Sequence, residues 1–324
     1  LVRGDLRHVA PVVQAAKGMD AVIHLAAIVG DPACALDEGE TLETNLAATR
    51  LLAEVCRASG VSRILFASTC SVYGAADHLV DERSELNPVS LYAATKIGSE
   101  KVLLAAASRH FHPVIFRLAT AFGWSYRPRF DLVVNLLTAR AAAEKRIVIY
   151  NGEQWRPFIH VSDISRVFRQ TLGAPLELVS GEIFNAGSSS MNFTLRQVAE
   201  QIGALEPALE VEFADNSDKR NYRVSFDKIR SRLGFECRTG LADGVREIRE
   251  AIAQGQVPDY RDARYSNVQL IGRRLEQAQG NGSNGNGEME LTALQFAGNS
   301  LWWRAVSAGG SGDELVRARG QESR

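Results

Sequence analysis

Four cysteines, six lysines against 31 arginines, and no long apolar run mark this 324-residue chain by what it has little of. Cys34, Cys56, Cys70 and Cys237 lie far apart and fit no metal-ligand spacing, so no metal is expected. They form no disulfide framework either, and a reducing cytoplasm is the expected setting. No stretch approaches the roughly 18 apolar residues of a membrane helix, and no basic-then-apolar signal segment opens the chain. The formal net charge of -1 and the scatter of the arginines argue against nucleic acid or an anionic membrane as partner. Small molecules are the partners left.

What is present is ordinary for a soluble globular protein, at 45% hydrophobic and 23% charged residues. Short apolar runs alternate with helical patterns, the signature of a parallel sheet with crossover helices. Ala21 to Ala27 reads as a buried strand and residues 41–59 as a helix. Arg63 to Ser68 is the next strand, and Leu91 to Ser108 the next helix. Strands at 113–118, 147–150 and 158–161 follow, with helices at 131–144 and from about Asp163. The expected fold is α/β, a Rossmann-like doubly wound parallel sheet. Residues 1–180 form its dinucleotide-binding part, with interleaved substrate segments near 130–160, and 181–271 a smaller mixed α/β substrate region. A cleft between the two would hold the substrate. Residues 272–324 hold 10 of the 27 glycines and read as a flexible tail. Within it, Gly280, Gly282 and Gly285 match a dinucleotide fingerprint, but no strand or helix frames them, so the match is linker composition.

The chemistry concentrates between Arg63 and Lys96. In an open α/β sheet, ligands bind beyond the carboxyl ends of the strands, and Thr69 stands at such an end. Tyr92 and Lys96 lie four apart and share a helix face. A phenol of pKa about 10 is a poor base at neutral pH, and a nearby ammonium would lower that pKa. Taken alone, the pair is equally two solvated helix residues and Thr69 a satisfied turn hydroxyl. Together the three can hold and move a proton.

The motifs Gly4-Asp5-Leu6, His24-Leu25-Ala26-Ala27, Asn45, Phe66-Ala67-Ser68-Thr69-Cys70-Ser71-Val72-Tyr73-Gly74, Tyr92-x-x-x-Lys96 and Arg117 to Gly123 run in this order. Jointly they resemble the extended short-chain dehydrogenase/reductases, in the nucleotide-sugar epimerase/dehydratase branch, over residues 1 to 270. The resemblance implies catalytic roles for Thr69, Tyr92 and Lys96, with Tyr92 as base and Lys96 also on the cofactor ribose. It implies that Asp5 and Leu6 flank the adenine, that Leu25, Ala26 and Ala27 lie along the cofactor, and that Ala119 opens the loop beside the nicotinamide. Asn45 matches a helix residue supporting the active-site strands, otherwise a buried, satisfied amide. Ser68 on the cofactor side and Ser71 on the substrate side match supporting hydroxyls. Arg156 matches the arginine that contacts a sugar-nucleotide diphosphate, a job suited to a guanidinium; a surface salt bridge is its plainer reading. Arg220 is a second phosphate candidate, and Asn135 a nucleotide or sugar contact or a helix-face polar residue. His160 is expected to be structural, and Glu82 matches an acid that precedes the tyrosine helix.

The chain departs from the pattern twice. Asp5 matches the end of the family's third strand, so the opening strand, its glycine-rich turn and the first helix are expected to lie outside this chain, roughly fifty to sixty residues by the size of two βα units. A pyrophosphate then lacks its helix N-terminus; NAD is the expected cofactor, with NADP left open. Thr69 is followed by Cys70-Ser71, where 4,6-dehydratases carry Asp-Glu, which disfavours dehydration. The expected function is an NAD(P)-dependent nucleotide-sugar epimerase working at C4 through a keto intermediate. The alternatives are a nucleotide-sugar 4-ketoreductase and a truncated non-catalytic interaction module. A nucleotide-diphosphate sugar is the expected partner, and a homodimer through helices 41–59 and 91–108 the expected assembly.

Overall fold

A computed structural model of the chain describes residues 1–281. In chain order the first half holds α1 (Val9–Ala16), β1 (Ala21–His24), α2 (Asp31–Cys34), α3 (Glu38–Leu42), a π-helical turn (Glu43–Ala47), α4 (Ala48–Ala58) and β2 (Arg63–Thr69). A 3-10 turn (Cys70–Tyr73), β3 (Ala75–Val80), α5 (Leu91–Ala105), β4 (His112–Leu118) and β5 (Thr120–Phe122) follow. The second half holds α6 (Val133–Glu144), β6 (Arg146–Tyr150), β7 (Trp155–His160), α7 (Val161–Leu172), α8 (Leu176–Val179), β8 (Ile183–Ala186) and β9 (Asn192–Thr194). It closes with α9 (Leu195–Gly203), β10 (Glu210–Ala214), β11 (Asn221–Val224), α10 (Asp227–Leu233), α11 (Leu241–Ala253) and α12 (Asn267–Asn281). Residues Leu1–Gly272 make one compact unit.

The central sheet is wholly parallel, in the order β1-β2-β4-β8. A parallel sheet is covered on both faces, so its strands read as near-continuous apolar runs. The alternation along each strand shows how. Ile64 and Phe66 of β2 and Ile115 of β4 join one core with Val12, Leu52 and Leu103 from α1, α4 and α5. Leu65, Val114 and Phe116 face the other way, toward Phe168 of α7 and Ile229 of α10. Burial of these side chains stabilises the unit at about 25 cal/mol per Å² of apolar surface removed from water.

Three smaller sheets carry the rest: β5-β7-β9, and the parallel pairs β6–β10 and β3–β11. Each draws strands from both sides of residue 180. Gly74 makes the turn that follows the 3-10 segment. Its φ is +64°, and an added Cβ would lie 1.8 Å from the carbonyl oxygen of Asn87, so only glycine fits this position.

Four expectations change. The stretch 21–27 is a strand only to His24; Leu25 and Ala26 are exposed and Ile23 is 41% exposed, because β1 pairs with β2 alone among the described residues. Gly4-Asp5-Leu6 does not end a strand; it runs unpaired into a turn at Leu6-Arg7, since an extended segment forms no ladder without a neighbour to pair with. The helix at 41–59 is built from α3, a π turn and α4 in succession. Residues from 272 begin inside α12; the remainder of the expected tail, with most of its glycine spacing, lies outside the described residues.

Candidate active site

Helix α5 starts where Ser90 accepts a hydrogen bond from the Ala93 N–H at 3.2 Å, an N-cap that leaves Tyr92 on the first turn and Lys96 on the second. Ala93 and Ala94 are fully buried, and their small side chains let this turn pack closely. Strand β2 ends at Thr69, whose hydroxyl accepts from the Ser71 N–H at 3.1 Å and caps the 3-10 turn. The Tyr92 phenol lies close enough to the Thr69 hydroxyl for it to lower the phenol's pKa. The Lys96 ammonium donates to the Ala67 carbonyl at 2.7 Å and sits 4.6 Å from the centroid of the Phe66 ring. Thr69, Tyr92 and Lys96, 27 residues apart along the chain at the extremes, thus meet at the carboxyl end of β2.

The electrostatics differ from the expectation in one respect. Burial pushes the Tyr92 phenol above its ordinary value of 10, further raised by Cys34 and Asp31; Arg129 and the Thr69 hydroxyl pull it back only in part. Lys96 stands one turn further along the same helix. Its Nζ lies 5.9 Å from the Tyr92 ring centroid and is spent on Ala67. Burial also pushes the Lys96 ammonium down to about 8, with Cys34 and Glu100 resisting.

Several of the residues singled out in the sequence are bonded into the scaffold. Asn45, carried by the π turn, is 2% exposed; it accepts from the Ile28 N–H at 2.7 Å and donates to the Ile28 carbonyl at 2.9 Å. Such wide turns recur at functional sites, and this one clamps the loop after β1. Ser68 donates to Glu100, and Glu100 takes Arg117 in a pair 2.8 Å apart, both nearly fully buried. Arg117 also donates to the Tyr73 hydroxyl at 3.0 Å, which donates to Asn185 at 2.7 Å. Glu82 accepts from the Asn185 N–H at 2.7 Å and closes this network. Asn135 is buried and brackets Gly123 through both its amide atoms. The polar atoms of Asn45, Ser68 and Asn135 are thus engaged by protein groups. Ala119 is buried, its N–H on the Ala186 carbonyl. His160 is buried between Ser162 at 2.7 Å and Glu247 at 2.9 Å.

Among the residues expected to face a cofactor, Asp5 holds Arg7 through both carboxylate oxygens, at 2.6 and 3.1 Å, and those bonds keep it at about 2. Leu6 packs at the edge of the core beside Val22 and Leu51. Leu25 and Ala26 leave the end of β1 open. An exposed strand end with a small side chain, near Lys96 of α5, is a surface against which a flat cofactor ring can lie.

On the substrate side, Arg156 of β7 is 6% exposed and its guanidinium sits 5.7 Å from the Tyr222 ring centroid. It donates to Gln154 at 3.1 Å and to Asp218 Oδ2 at 3.2 Å. Arg220 grips the same Asp218 oxygen at 2.6 Å and Asp31 at 3.0 Å. Burial would raise the Asp218 carboxyl, but the Arg220 bonds overcome it and hold it at about 2. Ser71 reaches the Tyr222 hydroxyl at 3.5 Å. A cavity of about 350 Å³ opens beside Asp218, lined also by Asn151, Gln154, Asn216 and Asn221.

Asp31 is the residue that sequence reasoning missed. One of its oxygens accepts from Ser90, the cap of the tyrosine helix, at 2.8 Å; the other holds Arg220. It joins the arginine pair to the tyrosine helix. Gly30-Asp31-Pro32 signals only a helix start, and nothing in that signal points to a residue 189 positions later. Among the described residues no group of three or more His, Cys, Asp or Glu could hold a metal ion, and no helix is long and apolar enough to cross a membrane.

Known proteins share this arrangement of chain. A sequence model of the NAD dependent epimerase/dehydratase family matches residues 1–187. An uncharacterized UDP-glucose epimerase of Bacillus subtilis is 30% identical over 71% of this chain and 73% of its own. A dTDP-glucose 4,6-dehydratase of Actinoplanes is 29% identical over 76% and 77%. Among solved structures, MoeE5 in complex with UDP-glucose and NAD is 30% identical, with a TM-score of 0.71 over 79% of this chain and 86% of that one.

Proposed function

Because this chain belongs to the NAD-dependent epimerase/dehydratase family, we propose that it is an NAD(P)-dependent nucleotide-sugar epimerase acting at C4 through a keto intermediate. One observation carries the proposal: Asp31 ties Arg220, and through Asp218 also Arg156, to the Ser90 cap two residues before Tyr92. A diphosphate held by two guanidiniums, which match phosphate oxygens through paired N–H donors, leaves its sugar within reach of the Thr69–Tyr92 hydroxyl pair.

Tyr92 takes the proton of the C4 hydroxyl, with Thr69 bridging the two oxygens. Lys96 keeps positive charge at the end of β2 and offers its remaining N–H donors to a ribose. Leu25, Ala26 and Lys96 would hold a nicotinamide cofactor, which when bound would supply the hydride acceptor that the reaction needs. After the keto sugar turns over, Tyr92 protonates the oxygen again. Cys70, where dehydratases of the family carry an acid, is 1% exposed with its thiol on the Arg117 carbonyl and pushed up by burial. It has no proton to give in the cleft, which supports epimerisation over loss of water.

The test is Tyr92→Phe assayed for C4 epimerisation of UDP-glucose. General acid–base groups contribute about 10²- to 10⁴-fold, and a loss of that size is expected; undiminished turnover overturns the proposal. A 4-ketoreductase is the second reading, favoured by the Tyr92 phenol standing above its ordinary pKa, a proton donor rather than a base at neutral pH. Stoichiometric consumption of reduced cofactor identifies it, whereas epimerisation consumes none. Calorimetry with NAD and NADP separates both from a non-catalytic interaction module, for which no heat is expected. A homodimer through residues 41–59 and 91–108 is the proposed assembly, and sedimentation at monomer mass removes it.

A further inference from the structure

We propose that Asp31 is a specificity-determining residue: an internal anion on Arg220 that a nucleoside diphosphate displaces and a nucleoside monophosphate does not. The inference rests on the assignment of Arg156 and Arg220 to phosphate, made above. Two guanidiniums converge on one oxygen, Asp218 Oδ2, at 3.2 Å from Arg156 and 2.6 Å from Arg220. Their positive charges are matched by two carboxylates, Asp218 and Asp31.

The two carboxylates are not held alike. Asp218 takes Arg220 through both oxygens, at 2.6 and 2.9 Å, and also accepts the Arg220 backbone N–H at 3.0 Å. Asp31 touches Arg220 through a single contact of 3.0 Å, with its side chain 22% exposed and its other oxygen on Ser90. When a second anion arrives at Arg220, Asp31 is the partner with least to lose. It keeps its Ser90 hydrogen bond and gains hydration. The nearby Arg156 uses Nη1 on the Trp155 carbonyl at 2.9 Å and on the Arg220 carbonyl, and Nη2 on Gln154 and Asp218; Asp31's own bonds go to Ser90 and Arg220. One phosphate can settle at Arg156 with the Asp31–Arg220 contact intact, whereas a second phosphate at Arg220 competes with it directly. Asp31 therefore taxes every diphosphate by the free energy of its own pairing and opens a path from phosphate binding to the tyrosine helix.

Calorimetry with UDP, dTDP and UMP tests this on the wild type, Asp31→Asn and Asp31→Ala. Exposed and half-exposed pairs are worth up to about 1 kcal/mol, and tenfold in affinity is about 1.4 kcal/mol. Both substitutions are expected to tighten the diphosphates by about three- to sixfold and UMP by less than twofold. In an Arg220→Gln background the Asp31→Asn gain is expected to vanish, since coupling requires both partners. Diphosphate affinity unchanged or weakened in both variants, with the wild type binding UDP or dTDP, overturns the role of Asp31 and leaves the phosphate assignment standing. Absence of diphosphate binding in wild type and variants alike overturns that assignment and Asp31's role with it.

Discussion

The Lys96 ammonium is anchored on the carbonyl of Ala67, 2.7 Å away and two residues before Thr69. One hydrogen bond thereby pins the second turn of α5 to the strand that ends in the site's hydroxyl. It also takes a positive charge out of water, and burial pushes that ammonium down to about 8.

The pH dependence follows from that displacement. Below pH 8 Lys96 is protonated whether the chain is folded or not. Between pH 8 and the usual 10.5 the unfolded chain holds a proton the folded chain has released, so Lys96 makes stability rise with pH there, by about 1.4 kcal/mol per unit. Lys96→Met is expected to remove that rise, measured as the difference between variant and wild type in urea unfolding at pH 7.5 and pH 10. An identical difference at both values contradicts the buried ammonium.

His24 titrates in the opposite window. Burial, with Lys96 adding to it, pushes the ring down to about 3 from 6.5, and its Nε2 meets the Thr49 hydroxyl at 2.9 Å. The neutral ring's contribution is fully present above pH 6.5 and is lost as pH falls toward 3. His24→Gln is expected to flatten acid unfolding by about 1.4 kcal/mol per unit across that range. Acid titrations of wild type and variant that run parallel would count against it.

Glu100 and Arg117 are 2 and 3% exposed and paired at 2.8 Å. Removing one partner leaves the other charge buried and uncompensated, which costs about 3–5 kcal/mol. Glu100→Gln keeps the hydrogen bond with Ser68 and loses the charge; a destabilisation of that size is expected in urea, and a loss below about 1 kcal/mol would show that Arg117 finds water.

Gly74→Ala combines a left-handed φ with a Cβ inside contact distance of the Asn87 carbonyl. Strain and overpacking each cost about 1–3 kcal/mol, so a loss of about 2–6 kcal/mol is expected by chemical denaturation. A variant as stable as wild type would mean the 74–87 turn can move at no cost.

Local signals carried much of this architecture. The apolar runs at 63–68 and 113–118 are strands because both their faces are buried, and the Tyr92–Lys96 spacing has meaning because a helix brings positions four apart together. What the sequence could not show is pairing at long range. β3 and β11 pair residues 144 to 146 positions apart, and β3 is largely exposed, so no periodicity announced it. The partners of Asn45, Ser68 and Asn135 were hidden for a related reason: a polar residue type states which bonds it can make, and only packing states with whom.

By itself, then, the order of residues determined a parallel sheet, a hydroxyl at the end of one strand and a phenol and an amine on one helix face, since these depend on contacts within a few residues. The tertiary structure decided how those groups are charged and what restrains them. Burial sets the Tyr92 and Lys96 proton affinities, and Asp31 meets Arg220 only because folding brings residues 31 and 220 to the same cleft.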